Sequence, residues 1–173
     1  MAGETGGKYS VDETVRSAHN VKRLIRFQHR PPIYKIMKKK SKPRNKLIEE
    51  LDNIFSKYIR LRDSDKSGYC RCISCGKLVF WKYIQNGHFV NRKHMSTRFD
   101  EYNCNAQCLS CNCFDEGNNL GYSAGLVRKY GKSVLDILLI RKNQMKKWSD
   151  FEIKKLINHY KKEVDKLLKE KLL

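Results

Sequence analysis

The chain has 173 residues and carries 37 Lys or Arg against 18 Asp or Glu, a formal net charge of +19. That length suits one domain with extensions, and that charge makes a polyanion the natural partner, nucleic acid first. The longest apolar run, Val134 to Ile140, is interrupted by Asp136 and too short to span a bilayer, which excludes a membrane-spanning reading of the sequence. Seven cysteines, an odd number gathered in pairs, and no leader resembling a signal peptide point away from a disulfide framework and towards a reducing, cytoplasmic compartment.

Residues Met1 to Gly7 are small and glycine-rich and carry no assignable role. From Thr14 to Ile48 the chain holds twelve Lys or Arg and no Asp or Glu. This stretch reads as a basic arm for phosphates, with a solvated tail as the plainer alternative. A helix is expected from Pro43 to about Arg62, with Leu47, Leu51, Ile54, Phe55, Tyr58, Ile59 and Leu61 on one face. Lys57, Arg60 and Arg62 fall largely off that face and are candidates for contact with DNA phosphates.

After a turn at Asp63 to Gly68, the stretch from Tyr69 to Phe89 predicts short strands, with Leu78, Val79, Phe80, Trp81, Tyr83 and Ile84 as core. Arg92, Lys93, His94 and Arg98 form a basic loop after His88, and Arg92, Lys93 and Arg98 are further DNA-binding candidates. Asn112 is expected to open a helix reaching Tyr130 with Gly131 after it, kinked near Gly117 and Asn118. Ser133 predicts a cap for a short helix with Val134, Leu135, Leu138 and Leu139 inward. Ser149 and Glu152 form a capping box for a final helix whose Ile153, Leu156, Ile157, Tyr160, Val164, Leu167 and Leu168 make one stripe. The stripe suits packing on its own domain or pairing in a homodimer.

The chemistry concentrates between residues 72 and 118. Two C-x2-C pairs, Cys72 with Cys75 and Cys108 with Cys111, supply four thiolates at the spacing of a tetrahedral zinc site. Cys70, Cys104 and Cys113 are spare thiols, with Cys70 or Cys113 as an alternative ligand. A zinc held by four thiolates has no open position, so any hydrolysis at this site needs a second metal. His88 lies between the knuckles, and histidine is the side chain whose ordinary pKa lies near neutrality, suited to deprotonate water. Asn112 directly follows the second knuckle, and its amide oxygen suits a hard divalent cation. Turn and helix-cap roles would equally account for Asn103 and Asn112.

Gly87-His88-Phe89, Arg98-Phe99-Asp100, Asn103, the run from Gln107 to Asn112, Gly117-Asn118 and Tyr130-Gly131, with Phe55 to Asp63 upstream, together resemble the NinG (Rap) family of phage recombination proteins. At one remove, two knuckles with a His between them and an Asn after the last Cys are similar to endonuclease VII and the HNH, or ββα-metal, nucleases. The resemblance implies an α+β fold with a small zinc-stabilised ββα-metal core between N- and C-terminal helices. The chain divides into a basic extension (1–42), a helix with the nuclease-like core (43–131), and a C-terminal helical region with possible dimerisation (132–173). The resemblance covers about residues 45 to 160 and leaves the basic leader unexplained.

It further implies a structure-specific endonuclease for branched DNA, such as Holliday junctions and D-loops, in a bacterial host's cytoplasm. By the same resemblance His88 is the general base, Asn103 orients it, Asn112 binds catalytic Mg²⁺ or Mn²⁺, and the four knuckle cysteines hold Zn²⁺. Gly87 stands where many HNH enzymes carry an Asp ligand. Asp115 or Glu116 is expected to supply the missing carboxylate, with Asp100 and Asn118 as further candidates. A non-catalytic zinc-containing nucleic-acid binding or annealing module, and a general nicking nuclease, are the alternatives.

Overall fold

The computed structural model describes residues Lys42 to Lys171. The basic arm and its phosphate contacts lie almost wholly outside the described residues. The elements in chain order are helix α1 (Arg44–Arg62), strands β1 (Tyr69–Arg71), β2 (Leu78–Phe80), β3 (Gln85–His88) and β4 (Cys104–Gln107), a π-turn (Ser110–Phe114), and helices α2 (Asn119–Tyr130), α3 (Val134–Lys142) and α4 (Asp150–Lys171).

Helix α1 forms where the apolar spacing predicts it and buries Leu47, Leu51, Phe55 and Ile59. These four residues recur every fourth position, so they stack along one stripe of the helix. The stripe of α4 supplies the opposite wall through Ile153, Ile157 and Tyr160, with the Phe55 and Tyr160 rings 4.9 Å apart. The two helices run parallel. Arg44 pairs with Asp150 where both begin, and Lys171 donates to the Leu61 carbonyl where both end. Of the two roles expected for the C-terminal stripe, it is packing within the chain that the structure uses. Residue 131 is therefore no boundary, because α4 closes back onto α1 to form one unit from Lys42.

The capping box is reciprocal. Glu152 accepts from the Ser149 N–H (2.7 Å) and hydroxyl, and its own N–H donates to Ser149 Oγ. It starts α4 at Asp150, beside the beginning of α1.

Two antiparallel ribbons form the β part, β1 with β2 and β3 with β4, with Gln85 opposite Gln107 and His88 opposite Cys104. Four corrections to the expected elements follow from packing. Leu78 and Tyr83 are exposed, because β2 and the turn after it lie near the surface; Trp81 and Ile84 are buried, with Val79 and Phe80 partly buried against them. The helix expected at Asn112 is a single π-turn, after which Glu116, Gly117 and Asn118 all adopt positive φ. No right-handed helix passes through three such residues, so α2 starts afresh at Asn119, capped by the Asn118 side chain on the Gly121 N–H. In α3, Leu139 points outward while Val134 and Leu138 are buried. Ser133 makes no side-chain cap bond.

One buried carboxylate joins α1, β4 and α2. Asp63 accepts from Arg62 (2.8 Å), from Lys129 (2.7 Å) and from the Ala106 N–H (2.8 Å). Burial alone would raise its pKa, but the Arg62 guanidinium and the Lys129 ammonium hold it below the ordinary carboxylate range. Asp63→Asn would leave Arg62 and Lys129 short of a counter-charge inside the fold. We expect a loss of about 3 kcal/mol in urea unfolding of the zinc-loaded protein, since breaking a buried pair costs on that order.

Candidate metal centre and histidine hairpin

Both knuckles are brought together by β4. The Ile73 N–H donates to the Ala106 carbonyl and the Cys108 N–H donates to Cys72 Sγ (3.3 Å), so the strand holds one C-x2-C pair against the other. The Sγ atoms of Cys72, Cys75, Cys108 and Cys111 all lie within 4.8 Å of one another, the one such cluster of His, Cys, Asp or Glu among the described residues. Cys75 Sγ and Cys108 Sγ are 3.7 Å apart. A Zn–S bond of about 2.3 Å places tetrahedral sulfurs about 3.8 Å apart, so the set fits zinc. At Cys72, burial is outweighed by N–H donors, Cys108 foremost, which bring the thiol down to about 7, towards the thiolate a metal requires. Cys70 is set apart from the cluster, its thiol donating to the Arg60 carbonyl.

His88 ends β3 and is half-buried. Its Nε2 lies 3.1 Å from the Arg98 carbonyl, and because a carbonyl only accepts, Nε2 carries the proton and Nδ1 of the neutral ring is the acceptor. Burial pushes its pKa down to about 4, so the ring is neutral at pH 7. The Arg98 guanidinium in turn forks onto both carboxylate oxygens of Asp52 on α1, and Arg92 joins the same carboxylate at 3.2 Å. Asp52 thus fixes the loop whose carbonyl fixes the histidine.

Asn103 is fully buried at the base of this loop. Its Oδ1 accepts from the Val90 N–H (2.7 Å), and its Nδ2 donates to the carbonyls of Val90 and Thr97 (3.0 Å each). It therefore ties the chain after β3 to the loop before β4. Tyr122 reinforces the joint from α2, its hydroxyl bonding the carbonyls of Gly87 and Asn103. Gly87 itself is set by packing: a Cβ there would collide with the buried Gln107 side chain, so the position has room for no carboxylate.

Asn112 lies on the π-turn, half-buried, and donates to Gln85 Oε1 at 2.5 Å; Cys113 Sγ reaches the same oxygen. Asp115 and Glu116 are exposed on the left-handed turn beyond it, lining a surface hollow with Phe114, Asn118, Asn119 and Leu120. That hollow includes neither Asn112 nor His88. The expectation of one helical turn between Asn112 and these carboxylates fails because the segment is not an α-helix. Asp100, the other carboxylate considered, pairs with Arg141. Asn118 caps α2 and reaches Cys111 Sγ at 3.6 Å.

The cationic candidates divide. Lys93 and Arg92 are exposed, Arg92 leaning on Asp52. Arg98 is engaged by Asp52, and Arg60 lies over the Trp81 ring and bonds the Ser56 carbonyl. Arg62 is committed inside the fold to Asp63 and to the carbonyls of Glu101 and Cys104, which removes it from any phosphate-reaching role. Gln85, Asp52 and Tyr122 were missed in the sequence. Asp52 alone left a signal there, as a carboxylate off the apolar face of α1.

Among the described residues no helix is long and apolar enough to cross a membrane. Removing metal should release the only thiolate-held joint between the knuckles. We expect about one zinc per chain, and a large fall in melting temperature on chelation, read by calorimetry alongside metal analysis.

A family model for the bacteriophage lambda NinG protein matches residues 4–170. Among curated proteins, the ninG protein of Escherichia phage 933W is 32% identical over 102 residues, covering 59% of this chain and 49% of that protein. The ninG proteins of phage lambda and Salmonella phage P22 are each 29% identical over 133 residues, covering 77% of this chain and 63% of theirs. The chain thus spans about half to under two thirds of the length of these relatives. No solved structure matches it. The chain belongs to the NinG family of bacteriophage proteins.

Proposed function

We propose that this protein is a metal-dependent endonuclease that hydrolyses phosphodiester bonds in branched DNA, such as Holliday junctions and D-loops, with a ββα-metal core formed by β3, β4 and the turn carrying Asn112. The observation that carries this reading is the state of His88. It is a half-buried, neutral imidazole, with Nε2–H locked onto the Arg98 carbonyl and Nδ1 of that tautomer a proton acceptor. A histidine kept only for packing has no need of a fixed tautomer held through a loop, an arginine and a carboxylate from another helix.

In this reading Nδ1 of His88 takes the proton from the attacking water, and the loop from Asn91 to Asn103 holds the ring while this happens. Asn112 would hold the catalytic Mg²⁺ or Mn²⁺ through its amide oxygen, its amide nitrogen being fixed on Gln85 Oε1 next to the second knuckle. When bound, that cation supplies charge for the scissile and leaving oxygens. Arg92 and Lys93, exposed on the loop after His88, bind the substrate backbone. Zinc keeps the two knuckles fixed and takes no part in the hydrolysis. The net charge of +19 supports the polyanionic substrate, and the family's phage setting supports recombination as its context.

One observation favours the binding module as the second reading: among the described residues the four knuckle cysteines are the one group of three or more His, Cys, Asp or Glu placed to hold a metal. Cleavage separates the two. The zinc-loaded protein with Mg²⁺ or Mn²⁺ should cut a four-way junction, and His88→Ala should lose at least about a hundredfold of that rate, on the order of a general base's contribution, while keeping its affinity for DNA. Equal cutting of linear duplex would point to the general nicking nuclease. Failure of the unmodified protein to cut any branched substrate would leave the binding module.

The pH dependence is a second test. A base works unprotonated, so activity is lost as pH falls through its pKa. For kcat/KM, which reports the free protein, the acidic limb should lie near pH 4 and not near 6.5, with zinc content verified at each pH.

A further inference from the structure

A second group of unspent charges lies on the other side of the first knuckle. A cleft of about 530 Å³ runs between the Arg71–Gly76 segment and the C-terminal half of α2, above Arg62 and Asp63. Gly125 makes this closeness obligatory, since a Cβ there would strike the Ile73 carbonyl; α2 therefore lies directly on the knuckle backbone. That contact sets Arg128 beside the cleft, 3.4 Å from the Ile73 carbonyl, facing Arg71 at the end of β1.

The charges do not balance. Asp63 is the one carboxylate lining the cleft, and it is already shared by Arg62 and Lys129. Arg71 and Arg128 are both exposed and have no carboxylate partner among the described residues. Two guanidinium groups across an open cleft form a site for phosphate oxygens, which they meet with paired N–H donors.

We propose that this cleft is a phosphate-binding track for the DNA backbone, anchored by Arg71 and Arg128, and separate from the contacts expected beside His88. The inference rests on the reading of the protein as one that engages DNA. Helix α2 measures the distance. Its cap, Asn118, touches Cys111 next to the candidate catalytic Asn112, and Arg128 lies ten residues further along. Ten residues of helix span about 15 Å, or about four base pairs of duplex at roughly 3.4 Å each. The track therefore grips the same arm of DNA about four base pairs from the phosphate held at Asn112.

The test uses the full zinc-loaded chain, with Arg71→Gln and Arg128→Gln combined, and reads binding to a four-way junction by anisotropy across a salt series without added divalent metal. Each phosphate contact contributes about 0.9 to the slope of log affinity against log salt, so the slope should fall by about two while melting temperature and zinc content stay unchanged. A neutral methylphosphonate about four nucleotides from the cut, or from the branch if nothing is cut, should weaken binding of the unmodified protein and have no further effect on the double variant. An unchanged salt slope, or a double variant that still responds to the methylphosphonate, would overturn the track. Because binding is read without cleavage, the two proposals fail separately. Loss of slope in a protein that cuts nothing upholds the track and removes the nuclease, whereas cutting with an unaltered slope does the reverse.

Discussion

Four thiolate-forming sulfurs within 4.8 Å of one another are the constraint on which the rest of this fold depends. Deprotonated, they repel one another and stay together only around a cation. Little else in the vicinity could do the joining, because the strands are three or four residues long and form two separate two-stranded ribbons. Such ribbons are marginal alone. The first knuckle is carried by the turn between β1 and β2 and the second follows β4, so a metal held by the four cysteines would weld both ribbons, and the first knuckle gives α2 a surface to lie on.

On that foundation the histidine hairpin is built by desolvation and tautomer locking. His88 is held by a carbonyl, the carbonyl by an arginine, and the arginine by Asp52 on the helix that forms the main core. The cost is a basicity well below that of a free imidazole. Under the proposed function that cost is tolerable, because the charge of an anionic substrate would favour the protonated ring once bound. Asn103 completes the joint with three hydrogen bonds to backbone groups that would otherwise be orphaned.

Much of this was legible in the sequence, and what was not has a common cause. The zinc set, the length of α1 and the capping box of α4 are local patterns in which spacing alone carries the geometry. The helix expected at Asn112 failed because Glu116 takes a left-handed conformation that composition disfavours, a conformation imposed by the fold around Gln107, whose side chain donates to the Gly117 carbonyl. Arg62 reads as a surface cation, one position past a buried Leu61, yet beyond its neighbour Asp63 its partners Glu101, Cys104 and Asn105 arrive only some forty residues later. Gln85 was invisible for the same reason, since nothing in the chain announces that Asn112 will land beside it.

The parallel pairing of α1 with α4 has a consequence for biosynthesis. The apolar face of α1 is complete once Arg62 has been made and Phe99 reaches Phe55 from the loop before β4, but the wall supplied by α4 starts only at Ile153, about ninety residues after Arg62. At translation speeds of roughly 5–20 residues per second, that interval lasts on the order of 5 to 20 seconds. Throughout it the α1 stripe lacks the wall that Ile153, Ile157 and Tyr160 supply, while all four cysteines of the candidate metal site are made before that wall begins. The nascent chain therefore carries a helix whose apolar stripe is only partly covered, and closure of α4 completes that core.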